Sequence, residues 1–267
     1  MPVTKLKAQL KSLVKRSRLI VELYHLYRYL NITSGKDIVY VFKNLSRLKL
    51  IWKVNPYTML SFRRLSTLHE LTCRFERTKQ SGSFIECGVR NGGSAAVMAA
   101  AARNSNNRHV WLFDSWEGLP EPDKRDFTGN PEQVKKGKYL GSEDKVKEIL
   151  FGGLKLDSTR IHLIKGWFSD NLPRTEIGKI ALLHLDCDLY ESVKFCLDTL
   201  YDDVIEGGCI VIDDYGYWSG CKEAVDEFIK YRKLSVELIK VDSQGVYFHK
   251  KSVDSGRPIK STVQASC

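Results

Sequence analysis

The sequence predicts an α/β protein with a doubly wound, mostly parallel seven-stranded sheet. Two observations support this prediction. Short strand-like runs alternate with helical runs from residue 83 onward, and two of the strand-like runs, 180–186 and 208–213, are almost entirely apolar. Continuous apolar runs suit strands that helices cover on both faces, and β-α alternation implies parallel strands joined by right-handed crossovers.

The elements before the sheet are predicted to be helical. The sequence predicts two helices, 4–31 and 37–53, which the turn-forming cluster 31–35 separates. It predicts a third helix over residues 58–80. The third helix is amphipathic, because its apolar residues recur at helical spacing. These residues are Leu60, Leu65, Leu68, Leu71 and Phe75.

Strands and helices then alternate as short segments bounded by turn-forming residues. The strands expected to be parallel are 83–87, 109–113, 161–164, 180–186 and 208–213. The helices expected between and after them are 93–104, 142–150, 190–203 and 220–233. The last two strands are too close together for a crossover helix, so we expect an antiparallel hairpin at one edge. They are 236–241 and 245–249.

Two segments lack the periodicity of helices and strands. Residues 116–141 are rich in Pro, Gly and charge, and so long a loop inside a domain is usually functional, so we expect a lid. Residues 252–267 contain little to bury, so we expect disorder there. The predicted organisation is therefore a basic helical extension over 1–56, a catalytic domain over 57–251 and this tail.

The excess positive charge is concentrated near the N-terminus. Residues 1–53 contain twelve Lys or Arg and two acids, whereas the remaining residues contain thirty of each sign. The catalytic domain therefore has no net charge to attract a polyanion, and no nucleic acid partner is expected. The basic segment favours packing on its own domain or on a second subunit, as in a homo-oligomer, over peripheral contact with a membrane.

The cysteines indicate a reducing compartment. The chain has seven Cys with no C-x-x-C spacing, which predicts neither a zinc site nor a disulfide framework. An odd number of cysteines is most simply explained by a cytoplasmic location. No apolar run approaches the ~18 residues that a membrane-spanning helix requires.

Acidic residues end two of the predicted strands. Asp186 and Asp188 follow strand 180–186, and Asp213 and Asp214 follow strand 208–213. Carboxyl ends of parallel strands meet at one edge of the sheet, where ligands bind. Four carboxylates gathered there repel one another unless a cation or a proton relieves them, so a divalent-metal site is predicted. A helix cap or a loop acid is the alternative for any single Asp.

A glycine-rich turn follows the first strand. Residues 84–94 read as a strand, a turn and an Ala-rich helix, and the turn lets backbone approach a ligand closely. Glu86 suits an ammonium group, the helix N-terminus a carboxylate, and Asp114 the hydroxyls of a ribose. Together they describe S-adenosylmethionine better than NAD, whose G-x-G-x-x-G pattern is missing. A tight turn with a helix cap would explain the glycines but not both acids.

Five motifs in order make the chain from about residue 55 to residue 241 resemble the macrocin O-methyltransferase family, which contains antibiotic deoxysugar O-methyltransferases. The motifs are ECGVRNGGS (86–94), LFDSWEGLP (112–120), KGWF (165–168), HLDCDLYES (184–192), and 207–215 followed by GCKEAV (220–225). The resemblance implies a class I, Rossmann-like methyltransferase fold. It also implies that Mg²⁺ and S-adenosylmethionine are used to methylate a hydroxyl, commonly on a sugar.

The resemblance also implies roles for individual residues. Asp186, Asp213 and Asp214 would bind Mg²⁺, and Asp188 would be the general base. The donor site would be formed by Glu86, Gly88, Ser94, Asp114, Ser115, Gly166, Trp167, Thr58 and Met59. The acceptor stays open among a secondary-metabolite sugar, a glycan terminus and a phenolic diol.

Two other functions are compatible with parts of the sequence. A non-catalytic donor-binding scaffold would dock through the basic N-terminal helices, but it would not need four clustered acids. An NAD-dependent or nucleotide-sugar enzyme is disfavoured, because the dinucleotide-binding glycine pattern is missing.

Overall fold

A computed structural model describes residues 45–105 and 107–251. These residues fall into two compact units, 45–53 and 54–251. Helix α1, Leu45–Val54, buries Leu48 and Ile51 on one face, as an amphipathic helix does. Residues 45–53 of this helix belong to the predicted helix 37–53, and the observed helix ends one residue later. The predicted helix 4–31, the first residues of helix 37–53 and the predicted disordered tail 252–267 lie outside the described residues.

A seven-stranded sheet forms the centre of residues 54–251 in the described part of the chain. Its strands are β1 (Ser83–Cys87), β2 (Val110–Asp114), β3 (Ile161–Lys165), β4 (Ile180–Leu185), β5 (Val204–Ile212), β6 (Ile239–Lys240) and β7 (Val246–His249). They are arranged in the order β3-β2-β1-β4-β5-β7-β6. Strands β1 to β5 pair in parallel, and β7 pairs antiparallel with both β5 and β6. The predicted doubly wound sheet with its antiparallel edge hairpin is confirmed.

The helices follow the predicted alternation, with two differences. They are α2 (Phe62–Arg77), α3 (Gly93–Ala101), α4 (Glu143–Lys147), α5 (Phe168–Asn171), α6 (Tyr190–Leu200) and α7 (Ser219–Tyr231). Helix α2 begins four residues later than the predicted 58, because the Ser61 hydroxyl caps it by accepting the Arg64 N–H at 3.2 Å. Helix α5 was not predicted, since four residues are too few to show a period.

Alternation along the central strands divides their side chains between two cores. In β1, Ile85 and Cys87 belong to the core that α6 and α7 cover. Phe84 points the other way, toward α2, where its ring centroid lies 6.2 Å from that of Phe75. Glu86 follows Phe84 on that face, because successive strand residues alternate. The register pairs it with His184 of β4.

Four strands end at the same edge of the sheet. The carboxyl ends of β1, β2, β4 and β5 carry the residues that the sequence singled out, including Gly88, Asp114, Asp186 and Asp213. None of the helices in the described residues has the length and apolar character needed to cross a membrane.

Candidate active site

A cavity of about 430 Å³ opens at this edge of the sheet. Twelve of the thirteen predicted site residues line it. They are Thr58, Met59, Gly88, Ser94, Asp114, Ser115, Gly166, Trp167, Asp186, Asp188, Asp213 and Asp214. The structure therefore brings the predicted donor residues and the predicted metal residues into one cavity, although they come from separate strand ends.

Three carboxylates form a cluster at one end of the cavity. Asp186, Asp188 and Asp214 each present an oxygen, and these oxygens lie within 4.8 Å of one another. Burial, and then the neighbouring acids, raise the pKa of Asp186 and of Asp188 well above the usual range. Burial and the charge of Asp213 raise the pKa of Asp214 to about 6. The cluster is an all-oxygen donor set whose repulsion a divalent cation would relieve, so its chemistry fits Mg²⁺.

Asp213 has a different environment from that cluster. Its carboxylate forms an ion pair with the Arg64 guanidinium, and its Oδ1 lies 3.9 Å from Nε2 of His184. Arg64 also contacts Asp242, with Nε 3.3 Å from Oδ2. Burial opposes the charge on Arg64, but the surrounding carboxylates outweigh it and raise the pKa of Arg64. Burial lowers the pKa of His184, but Asp213 and Glu86 outweigh it and raise this pKa well above its usual range, which favours an imidazolium beside Asp213.

Glu86 lies behind the cavity wall. It is fully buried, and its Oε1 lies 2.9 Å from Nδ1 of His184. Its other oxygen, Oε2, is buried without a hydrogen-bond partner among the described residues. Glu86 is thus the one predicted donor residue that does not line the cavity, and its contact with the donor's ammonium group stays a prediction. His184, which is 1% exposed, is a hydrogen-bonded core histidine, as its position within a strand predicts.

Asp114 organises the glycine-rich turn. Its Oδ2 accepts the backbone N–H groups of Val89 and Arg90, both at 2.7 Å, and its Oδ1 accepts that of Trp116 at 2.6 Å. These bonds hold the loops after β1 and β2 together. Asp114 also lines the cavity, so its structural role is compatible with the predicted contact with a ribose.

The donor turn and the carboxylate cluster touch at Gly88. Its φ is +93°, and a Cβ added there would overlap the carbonyl of Asp186. Only glycine fits both the conformation and the space, so the turn can pass directly against the end of β4.

The predicted lid supplies a third wall. Gly118, Leu119, Gln133 and Tyr139 from residues 116–141 line the cavity. The Tyr217 hydroxyl donates to Gln133 Oε1, which links the lid to the loop before α7. Tyr139 and Tyr217 both meet the ring of Trp218 edge-on, with centroids 6.4 and 6.3 Å away. The wall is therefore aromatic, and ring faces of this kind stack well on apolar faces of ligands.

The family model described as Macrocin-O-methyltransferase (TylF) matches residues 41–250. The chain belongs to the macrocin O-methyltransferase family. It is an S-adenosylmethionine-dependent O-methyltransferase, as the five motifs predicted, and its sheet is that of a class I methyltransferase. Membership of an enzyme family favours catalysis over the scaffold alternative.

Named relatives of this methyltransferase are also O-methyltransferases. It is 32% identical over 204 residues to the demethyldecarbamoylnovobiocin O-methyltransferase of Streptomyces niveus, covering 74% of this chain and 78% of that protein. It is 29% identical over 206 residues to an 8-demethyl-8-(2,3-dimethoxy-α-L-rhamnosyl)-tetracenomycin-C 4′-O-methyltransferase of Streptomyces olivaceus, covering 74% and 77%. The solved structure of the O-methyltransferase NovP is 31% identical with a TM-score of 0.67, covering 73% of this chain and 83% of that one.

Several residues of the methyltransferase's cavity were not predicted from sequence. Arg64, Arg90, Gln133, Tyr139 and Tyr217 line the cavity. Arg64 belongs to a helix that looks like ordinary amphipathic packing, and its partner Asp213 is 149 positions away. Arg90 lies in the glycine-rich motif ECGVRNGGS, where one charged residue among small ones could have marked it as a candidate cavity residue. The lid residues have no motif of their own.

Proposed function

We propose that this methyltransferase is Mg²⁺-dependent and transfers the methyl group of S-adenosylmethionine to a hydroxyl of a sugar or another diol-bearing small molecule. The observation that carries the proposal is the cluster of Asp186, Asp188 and Asp214 in the same cavity as the donor turn. Methyl transfer needs an acceptor oxygen beside the donor, and the cluster is the group in the cavity that is suited to activate it.

Asp186, Asp213 and Asp214 would hold the metal, as the family resemblance implies. Asp186 and Asp214 already share the oxygen cluster, and Asp213 lies beside them with Arg64 and His184 as its cations. When bound, Mg²⁺ would neutralise part of the carboxylate charge and lower the pKa of an acceptor hydroxyl.

Asp188 would accept the proton of that hydroxyl. Its backbone has φ +56°, a sparsely populated conformation that turns its carboxylate into the cluster. A carboxylate whose pKa burial has raised is a better proton acceptor near neutral pH than an exposed one. The donor is already a sulfonium, so the remaining task is to align the oxygen with the methyl–sulfur bond.

The donor would lie along the turn after β1. Ser94 and the first turn of α3 suit its carboxylate, Glu86 its ammonium group, and Asp114 with Ser115 its ribose. Gly166 and Trp167 would flank the adenine, and Thr58 and Met59 would complete the wall.

The aromatic wall supports a sugar-like acceptor. Tyr139 and Tyr217 line the cavity, packed edge-on against the buried Trp218, and Tyr139 is close enough to Asp188 and Asp214 for their charges to raise its pKa. The rhamnosyl group in the name of the tetracenomycin relative agrees with this chemistry. A cytoplasmic location and assembly into a homo-oligomer stay predictions, as does peripheral membrane contact, which is not favoured.

The test is methyl transfer to a panel of diols and glycosides, followed by mass spectrometry with and without EDTA. We expect products that EDTA abolishes and that added Mg²⁺ restores. Undiminished transfer in EDTA would exclude the metal role. Donor binding without transfer to any acceptor, in the presence of Mg²⁺, would contradict the proposed reaction.

A further inference from the structure

Arg90 has an unusual backbone inside the donor turn. Its φ is +52°, in the left-handed region that costs a non-glycine residue energy and that clusters at functional sites. Three hydrogen bonds hold it there. Its N–H donates to Asp114 at 2.7 Å, and its carbonyl accepts from Trp116 Nε1 at 2.9 Å and from the N–H of Ser142 at 3.1 Å. A long cationic side chain is therefore placed at a fixed position where Gly or Asn would fit more easily.

Arg90 lines the cavity, and its guanidinium has no anionic partner among the described residues. Its Nε, like that of Arg64, is buried without a hydrogen-bond partner among the described residues, but no ion pair joins the Arg90 guanidinium to any of them. Arg64, the other arginine of the cavity, is paired with both Asp213 and Asp242. The charge of Arg90 is therefore left for a ligand to pair with, whereas that of Arg64 is already paired within the protein.

The backbone of Arg90 belongs to the donor turn, but its charge also reaches the acceptor end of the cavity. Its charge acts on the Tyr139 hydroxyl, which Asp188 and Asp214 also influence. Tyr139 belongs to the aromatic wall, so this end of the cavity adjoins the proposed base. The donor's reacting centre is a sulfonium and its amino group is a second cation, and both would repel a guanidinium. Ser94 at the start of α3 remains for the donor's carboxylate.

We propose that Arg90 binds an anionic group of the acceptor, a carboxylate or a phosphate beside the hydroxyl that is methylated. This inference rests on the proposed function and adds the chemical class of the substrate. A guanidinium donates two parallel N–H bonds to either oxyanion, and such charge-assisted pairs are strong and directional. The fixed backbone of Arg90 would orient the acceptor ring against the aromatic wall.

The experiment measures binding rather than turnover. Protein loaded with Mg²⁺ and S-adenosylhomocysteine is titrated calorimetrically with two matched pairs of probes. One pair is methyl β-D-glucopyranoside and methyl β-D-glucuronoside, and the other is glucose and glucose 6-phosphate. Each titration is repeated with Arg90→Gln, with Arg90→Lys, and with Lys155→Gln. Lys155 is the matched control, since it is a cation with φ +54° that is exposed outside the cavity.

We expect the ratio of anionic to neutral affinity to fall roughly tenfold or more in Arg90→Gln. Arg90→Lys should retain part of the preference, and Lys155→Gln all of it. Because every variant keeps the same metal site, any coordination of the probe by Mg²⁺ cancels in the comparison with wild type.

Two results would overturn the inference. One is an unchanged ratio in Arg90→Gln, including the case in which wild type has no anion preference. The other is a tenfold loss of S-adenosylhomocysteine affinity with an unchanged ratio, which would assign Arg90 to the donor's carboxylate. Failure of the proposed function is seen separately, as absence of methylated product from any acceptor while the anion preference persists.

Discussion

The donor end and the carboxylate end of the cavity differ in how their polar groups are satisfied. At the donor end, Asp114 accepts three backbone N–H groups, from Val89, Arg90 and Trp116. At the carboxylate end, oxygens of Asp186, Asp188 and Asp214 lie within 4.8 Å of one another, and none of the three carboxylates forms an ion pair with a described residue. The free protein's own hydrogen bonds fix the donor turn, whereas the carboxylate end concentrates negative charge that Arg64 and His184 offset only in part.

The difference indicates how the two ligands would be recognised. A preformed donor turn costs little to organise when S-adenosylmethionine binds, since its loops are already fixed. The carboxylate end carries its repulsion in the folded state, which the metal would then relieve. Asp213 differs from the other proposed metal ligands, because Arg64 and His184 already offset its charge in the folded protein.

The largest expected effect is at Asp188. Asp188→Asn removes the proposed base while preserving shape, so kcat for methyl transfer should fall roughly 10³-fold. The dissociation constant of S-adenosylhomocysteine, measured by calorimetry, should stay within about twofold because the donor end is intact. Asp198→Asn, a surface acid paired with Lys194 at 2.6 Å, is the control and should keep full activity. Retention of more than a tenth of wild-type kcat by Asp188→Asn would remove Asp188 as the base.

The stability of the metal-free protein should separate Asp213 from Asp188. Asp213→Asn removes the counterion that Arg64 and His184 share but leaves them Asp242 and Glu86, so the free energy of unfolding should fall by about 2 kcal/mol. Asp188→Asn relieves repulsion among the clustered carboxylates, so the free energy of unfolding should rise by about 1 kcal/mol. Thermal unfolding in EDTA measures both, and each kcal/mol corresponds to about 2–4 °C in Tm. Shifts of the same sign in the two variants would show that the carboxylates are not divided as the geometry indicates.

Asp114→Asn tests whether the three backbone hydrogen bonds to Asp114 keep the donor turn in its binding conformation. An amide presents only one acceptor oxygen, so either the Val89 and Arg90 N–H groups or that of Trp116 must lose a partner. We expect the dissociation constant of S-adenosylhomocysteine to rise between tenfold and a hundredfold, about 2 kcal/mol. Calorimetry with and without Mg²⁺ measures this change, which should not depend on the metal. A loss of metal affinity equal to the loss of donor affinity would mean that the two ends are not independent.

The fold was predictable because its central strands are apolar throughout. Every residue of β1 and β4 is buried, so the runs at 83–87 and 180–186 indicated covered strands without any knowledge of neighbours. Helix α5 has only four residues and no period to detect. The start of α2 depends on the Ser61 cap, and that local signal was hidden by the longer apolar pattern across 58–80.

The site was predictable as a list of residues but not as a set of contacts. Strand ends place Asp186 and Asp213 at one edge whatever their partners, and that topological rule was enough to gather the acids. The partners themselves depend on distant segments. Arg64 meets Asp213 across 149 positions, and Asp114 reaches Val89 across 25, so no spacing rule connects them.

The smallest expected effect tests whether the lid acts on acceptor binding alone, without a part in the reaction at the carboxylates. Tyr217→Phe removes the hydroxyl that donates to Gln133 but keeps the ring that meets Trp218 edge-on. One hydrogen bond of this kind contributes about 1 kcal/mol, so the acceptor KM should rise roughly two- to fivefold. Because the bond organises the lid and contacts neither the donor turn nor the carboxylates, donor affinity and kcat at saturating acceptor should hold. Initial rates over a range of acceptor concentrations separate the two parameters. A fall in kcat with unchanged KM would mean that the lid hydrogen bond acts on the reacting groups. The aromatic wall would then contribute to the chemical step at the carboxylates.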